Sequence, residues 1–309
     1  MPPETPASEP SGLPEPSDLS APSGPPTVRD VRDRVAAVLT RAGVPDPEVD
    51  AELLIGHVLD VSRGRVQALT VLGSEVEPAQ VEQIRELTER RAAREPLQHI
   101  TGRAAFRSLE LAVGPGVFVP RPETEQVAQF AIDALRSVAA PEPVAVDLGT
   151  GSGAIALALA TEVPHARVFA VENSPEAFIW TRRNVDASGV ENLRPVFIDL
   201  ADALPELDGT VDVVISNPPY VPDAAIPRDP EVRLFDPAAA LYGGEDGLDV
   251  IRVISRVAQR LLRPGGTLVL EHGELQGAAI RELLTADGWR AAATHRDLTT
   301  RDRATTALR

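Results

Sequence analysis

The stretch Val211-Asp212-Val213-Val214-Ile215-Ser216-Asn217-Pro218-Pro219-Tyr220 decides how this chain is read. Its first six residues are mostly apolar and β-branched, the pattern of a buried parallel strand. Neither proline has an N–H to give a sheet ladder, so the chain leaves the sheet at Asn217. Open α/β sheets bind their ligands at that end of the strands. Asn217 offers a side-chain carbonyl, and the main-chain carbonyls of Asn217 and Pro218 meet no proline N–H next door. An aromatic ring, Tyr220, stands beside these acceptors. The set suits a planar amino group, an amide or an exocyclic base amine, with two N–H groups to hold and a flat π-system to pack. A rigid turn is the plainer reading of Pro-Pro. A glycine-rich loop about 65 residues upstream, in what reads as the same sheet, favours the functional one.

That loop is Asp147-Leu148-Gly149-Thr150-Gly151-Ser152-Gly153, between a strand over 144–148 and an apolar helix over 154–162. Its glycines let the backbone approach a ligand closely. Glu172 ends the next strand, 25 residues after Asp147, and is placed to accept hydrogen bonds from both ribose hydroxyls of a nucleoside. The loop also satisfies the loose dinucleotide fingerprint. Asp147 separates the two: a carboxylate is repelled by a pyrophosphate and attracted by the ammonium or sulfonium of S-adenosylmethionine. Asp199, ending the third strand, either takes a hydrogen bond from an adenine amine, with Leu200 against the ring, or caps its own strand end.

Composition narrows the classes. The 309 residues suggest two domains, or one with an appendage. No apolar run is long enough to span a membrane, and no basic-then-apolar leader opens the chain. There is no cysteine, which excludes thiolate chemistry and Cys-ligated metals and agrees with a cytoplasmic protein. No metal site is expected. The net charge of −16 argues against direct binding to nucleic-acid backbone. All 30 basic residues are Arg, a sign of genome composition rather than function.

Residues 1–26 hold nine prolines and no base, and are expected to be a disordered tail. Amphipathic patterns then predict four short helices, from Thr27 as a cap, through 51–59 and 64–69, to 78–94, forming a helical bundle over 27–95. Residues 96–122 read as a hairpin linker, with alternation over 106–119 and Gly114 and Gly116 in its middle. Pro120-Arg121-Pro122-Glu123-Thr124-Glu125 follows; its two prolines fix Arg121 as a site wall, and a helix runs over 125–138. From 123 to 309 strands alternate with helices: strands at 167–172, 194–198, 211–216, 267–271, 289–295 and 303–308, helices at 175–188, 248–262 and 275–286. The proline-rich stretch 221–245 is too long for a passive connection and reads as a lid or substrate wall.

With Asp147–Gly153, Glu172 and Asn217–Tyr220 in one chain, the sequence resembles class I methyltransferases of the Asn-Pro-Pro-Tyr type, and within them the HemK/PrmC family of release factor N5-glutamine methyltransferases. The resemblance covers nearly everything after residue 27. It includes Glu95-Pro96-Leu97-Gln98 with Thr101-Gly102, the Arg121 block, Gly243-Gly244-Glu245-Asp246-Gly247-Leu248, and Asp297 with Asp302-Arg303. It implies a Rossmann-like α/β sheet behind an N-terminal helical bundle and a connecting β-hairpin. It implies S-adenosylmethionine held by Gly149, Thr150, Gly151, Ser152, Gly153 and Glu172, with Asn217 between cofactor and substrate; Asp147, Asp199 and Leu200 join the expected cofactor contacts from the reading of the residues themselves. It implies that Asn217, Pro218, Pro219 and Tyr220 hold a glutamine amide, and that class 1 peptide chain release factors are the partners. Arg121, from its place between two prolines, is expected beside them as a substrate contact, and the protein is expected to be a monomer. The sequence departs from the family at Leu200, at His272, which reads as structural, and at Leu298-Thr299-Thr300 in the last turn. Rival readings are glutamine methylation of a ribosomal protein, adenine-N6 methylation of nucleic acid, which needs a basic groove, and a non-enzymatic adaptor.

Overall fold

The computed structural model describes residues 25–309. The tail expected over 1–26 lies outside the described residues but for its last two. The chain divides into two compact units after Ala92. The first is helical. Thr27 Oγ1 accepts from Asp30 N and the Asp30 carboxylate returns the bond to Thr27 N, a reciprocal cap that starts α1 (Val28–Arg41). α2 (Pro47–Leu59), α3 (Arg63–Leu72) and α4 (Pro78–Ala92) follow. They bury Val31, Leu39, Leu54, Ile55 and Ile84 between them. One charged pair lies in that interior: Arg91 Nε donates to Asp50 Oδ2 at 2.7 Å.

The second unit opens with α5 (Leu97–Thr101) and a small hairpin, β1 (Arg103–Phe106) and β2 (Leu109–Ala112). This corrects the expected hairpin over 106–119. The turn is at Arg107 (φ 54), a left-handed position that sequence does not announce in an arginine. Its guanidinium is fixed by Glu162, Gln129 and the Glu125 carbonyl, and these tertiary bonds offset the backbone strain. Gly114 and Gly116 are not turn residues of the hairpin. They let the chain pass close to the later helix that carries Trp180: a Cβ on Gly114 would meet the Trp180 ring at 2.6 Å. The hairpin is also no detached linker, since Phe106 and Leu111 belong to the core of this unit.

α6 (Pro122–Arg136) begins three residues earlier than its pattern suggests, with Pro122 at its first turn. Then come β3 (Val144–Leu148), α7 (Ala154–Glu162), β4 (Arg167–Glu172), α8 (Pro175–Ser188), β5 (Leu193–Phe197) and β6 (Val211–Ser216). Within 221–245, read as a loop, two short helices form, α9 (Pro230–Phe235) and α10 (Ala238–Leu241). α11 (Asp249–Leu261), β7 (Leu262–Glu271), α12 (Gly277–Ala286), β8 (Arg290–Arg296) and β9 (Asp302–Leu308) complete the chain. β7 starts five residues before the expected strand, because Leu262 pairs with Val211 ahead of an irregularity at Gly265-Gly266.

The seven strands run in the order β5-β4-β3-β6-β7-β9-β8. The first five are parallel, and β9 and β8 close the sheet antiparallel. This is the doubly wound sheet that the alternation predicts. β3 and β6 are buried along their whole length, and α7, apolar on every side, is buried nearly throughout. Strand order reverses between β3 and β6, which makes their carboxyl ends the switch point of the sheet.

Candidate functional site

Both motifs leave the sheet at that switch point, on adjacent strands. Asp147 pairs with Ile215, and Ser216 Oγ donates to the Leu148 carbonyl at 2.6 Å, locking the two exits together. Above them is a cleft of about 450 Å³. It is lined by Leu148, Gly149, Thr150, Gly151, Ser152 and Glu172, by Ser216 to Tyr220 at its lip, and by Phe118, Pro120, Arg121, Thr124 and residues of α9 and α10.

Gly149 and Gly151 have φ of 73° and 60°, and a Cβ built on either meets nothing within 4 Å. Their Cα positions are therefore open beside the cleft, a cradling surface that a side chain would cover, while their N–H groups are held by the Val171 carbonyl and Glu172. Glu172, mostly buried, accepts from Gly151 N (2.8 Å), Asn173 N (3.0 Å) and Ser174 N (2.8 Å). A carboxylate has about four acceptor positions, so its anchoring role uses most of them and leaves capacity for a ribose hydroxyl. Leu200 lines the cleft and packs on the core beneath. Open glycine backbone, a held carboxylate and an apolar shelf fit a nucleoside such as S-adenosylmethionine.

Three expected cofactor residues are placed differently. Asp147 is fully buried beneath the loop, where its Oδ2 accepts from Thr150 Oγ1 (2.6 Å) and Ala156 N (3.2 Å). It fastens the loop and does not line the cleft, and burial pushes its carboxyl up to about 7. Gly153 turns the chain into α7. Asp199 caps the turn after β5, its Oδ1 accepting from Ala201 N (2.9 Å), with Oδ2 taken by Asn173.

At the lip, the Asn217 side chain has no hydrogen-bond partner among the described residues, and no N–H is directed at the Pro218 carbonyl. The backs of Pro219 and Tyr220 are held instead. Gln276 Nε2 donates to the Tyr220 carbonyl at 2.9 Å, and Gly243 and Gly247 pass so close that a Cβ would come within 2.5 Å of the Pro219 carbonyl and 2.3 Å of the Tyr220 carbonyl. Val221 N donates to the Leu241 carbonyl and Gly243 N to the Val221 carbonyl, which closes the neck of the 221–245 insertion. Burial raises the Tyr220 phenol to about 12, with the Glu271 carboxylate adding to it, so Tyr220 stays protonated.

Sequence reading assigned no role to Ser216, Thr124, Gln276, Glu271 or Asp236. Each acts on a partner distant in sequence, and no local pattern marks such a pairing. His272 is structural as expected: its ring nitrogens meet the Gly273 carbonyl and Thr305 Oγ1, both at 2.9 Å. The last turn closes without a glycine, because Asp297 Oδ1 accepts from Thr299 N and Arg301 N while Thr300 takes φ 68. Among the described residues no cluster suits a metal, and no helix is long and apolar enough to cross a membrane.

Comparison with known proteins bears on this geometry directly. Residues 30–102 match the PrmC N-terminal domain and residues 108–245 the methyltransferase small domain. A release factor glutamine methyltransferase of Streptomyces coelicolor is 54% identical over 271 residues, covering 87% of this chain and 93% of that protein. The chain belongs to the release factor glutamine methyltransferase family. A family member from Bifidobacterium longum is 45% identical, over 89% of this chain and 97% of its own length. A protein of Streptomyces pristinaespiralis named 4-amino-L-phenylalanine/4-methylamino-L-phenylalanine methyltransferase is 41% identical over 85% of this chain and 89% of its own. Among solved structures, the hMettl16 catalytic domain matches with a TM-score of 0.51 at 16% identity, over 64% of this chain and 75% of that one, which speaks for the fold alone.

Proposed function

We propose that this chain transfers the methyl group of S-adenosylmethionine to the side-chain amide nitrogen of the glutamine in the Gly-Gly-Gln loop of class 1 peptide chain release factors. The observation that carries this reading is the unpartnered pair of acceptors, the Asn217 side chain and the Pro218 carbonyl, beside the glycine cradle. When bound, S-adenosylmethionine supplies an electrophilic methyl on a sulfonium. The cradle of Gly149 to Ser152, with Glu172 and Leu200, is where this chain holds it.

An amide nitrogen is a poor nucleophile, because its lone pair is delocalised into the carbonyl. Asn217 and Pro218 accept its two N–H bonds, aim the nitrogen and stabilise the positive charge that develops there. Once the nitrogen–methyl bond has formed and the methyl–sulfur bond has broken, one of the two N–H protons is released to water. Tyr220, neutral at physiological pH, packs against the planar group and is no base. Arg121 lines the same cleft, as a donor for the peptide that carries the amide. The helical unit over 27–95 is assigned to recognition of the partner protein.

Incubation of a purified class 1 release factor with the protein and S-adenosylmethionine, read by peptide mass spectrometry, tests the proposal. One added methyl on the Gly-Gly-Gln glutamine, absent with Asn217→Ala, supports it. An unmodified release factor alongside a methylated 4-aminophenylalanine or ribosomal protein sinks the substrate while leaving the chemistry.

A further inference from the structure

Arg121 is set between Pro120 and Pro122 at the entry to α6, with three-quarters of its side chain covered. Its guanidinium lies over the Phe118 ring, 4.9 Å from the centroid. On its other side, Nη2 donates to Asp236 Oδ2 at 2.7 Å. The Asp236 side chain is 1% exposed, and its second oxygen, Oδ1, is buried without a partner. Asp236 closes α9, its N–H bonded to the Val232 carbonyl, and Pro237 returns the chain to the cleft. Arg94 pairs with Glu231 at 2.9 Å on the same short helix.

A guanidinium has five N–H donors. One goes to Asp236, and Nε and Nη1 have no partner among the described residues. Phe118 and Arg121 both line the cleft. A lone arginine in such a wall attracts carboxylates and phosphates. One paired with a buried carboxylate has its charge balanced, yet keeps donor groups in a fixed plane. Such a plane suits a neutral main-chain carbonyl, which an extended peptide offers at regular intervals.

We propose that Asp236 is a positioning residue that aims and neutralises Arg121, so that the free N–H edge of Arg121 takes a main-chain carbonyl of the peptide bearing the target amide and turns away anionic groups. The inference rests on the reading of the cleft as a protein-glutamine site. It accounts for an acid kept in the interior against the cost of burial, which pushes its carboxyl up to about 6 despite Arg121.

The test compares parent, Asp236→Asn, Arg121→Gln and the double variant in steady-state methylation of the release factor. Binding of S-adenosylmethionine and tryptophan-monitored unfolding are measured in parallel. Loss of one charge-assisted bond to substrate raises KM roughly ten- to a hundredfold with a small change in kcat. Asp236→Asn is expected to show that rise, with cofactor binding unchanged, and to be inhibited by inorganic sulfate competitively with the protein substrate, which the parent is not. The double variant is expected to be no worse than Arg121→Gln, since Asp236 acts through Arg121. An unchanged KM in Asp236→Asn, or additive losses in the double variant, overturns the inference. If Asp236→Asn does not fold, Arg121→Gln decides: a KM for the release factor raised as above supports the inference, and one unchanged from the parent overturns it. Parent activity on the release factor tests the site reading separately, so the two failures are distinct.

Discussion

Glu271 ends the interior strand β7 with 1% of its surface exposed, and its Oε2 has no hydrogen-bond partner. Burial pushes its carboxyl from 4.5 up to about 7, and the neighbouring Thr124 hydroxyl and Arg303 pull it back only partly. A carboxyl with a raised folded pKa contributes stability that is fully present below the unfolded pKa and is lost as pH rises through the folded one. The window here runs from about 4.5 to about 7. Glu271→Gln keeps the shape and removes the titration. Packing and hydrogen-bond differences between the two side chains are nearly constant with pH, so they cancel when the variant-minus-parent stability at pH 5 is subtracted from that at pH 8. At 1.36 kcal/mol per unit, what remains is about 2–3 kcal/mol in favour of the variant at the higher pH. That corresponds to roughly 5–10 °C in Tm for a unit of this size. Both tryptophans, Trp180 and Trp289, lie in the second unit, so their fluorescence follows its unfolding alone. A difference between variant and parent that stays flat from pH 5 to 8 refutes the reasoning, because Glu271 would then titrate as it does in the unfolded chain.

Asn217→Ala removes one preorganised acceptor and is expected to lower turnover about 10²–10³-fold while S-adenosylmethionine affinity by calorimetry stays nearly unchanged; near-parent turnover refutes its role. Gly151→Ala forces a side chain into the left-handed region at φ 60 on the cradle wall, so cofactor binding weakens while unfolding shifts by only about 1–2 kcal/mol. Equal cofactor binding would show that the loop backbone does not approach the ligand. Arg91→Ala strands the buried Asp50 carboxylate and costs the helical unit about 3–5 kcal/mol, read by far-ultraviolet dichroism; a loss below about 1 kcal/mol contradicts burial of the pair.

The parallel strands and their helices are legible because hydrophobic period and length agree, as in Val144–Leu148 or Pro175–Ser188. The switch point follows from two motifs that each end a strand. What sequence does not carry is any position whose conformation is imposed from afar. Arg107 turns a hairpin because Glu162 holds it, 55 residues on. Asp147 looks like a cofactor contact by charge, yet its neighbours in the fold, Thr150 and Ala156, take it beneath the loop. Arg121 is legible as a wall because two prolines bracket it; its partner Asp236, 115 residues away, is not. Pro230–Phe235 makes less than two turns of helix, too short for periodicity to register.

The lip from Asn217 to Tyr220 rests on residues that do not line the cleft. Gly243 and Gly247 leave no room for a Cβ against the Pro219 and Tyr220 carbonyls, and Gln276 holds the latter. Directed evolution toward a new acceptor therefore has two unequal territories. Substitutions at 243, 247 or 276 displace the reacting group whatever the substrate, so a library spread evenly over the chain spends those members for nothing. Substitutions at Val232, Ala239 and Ala240 reshape the cleft lining while the lip keeps its register, and those positions are where selectivity is free to drift.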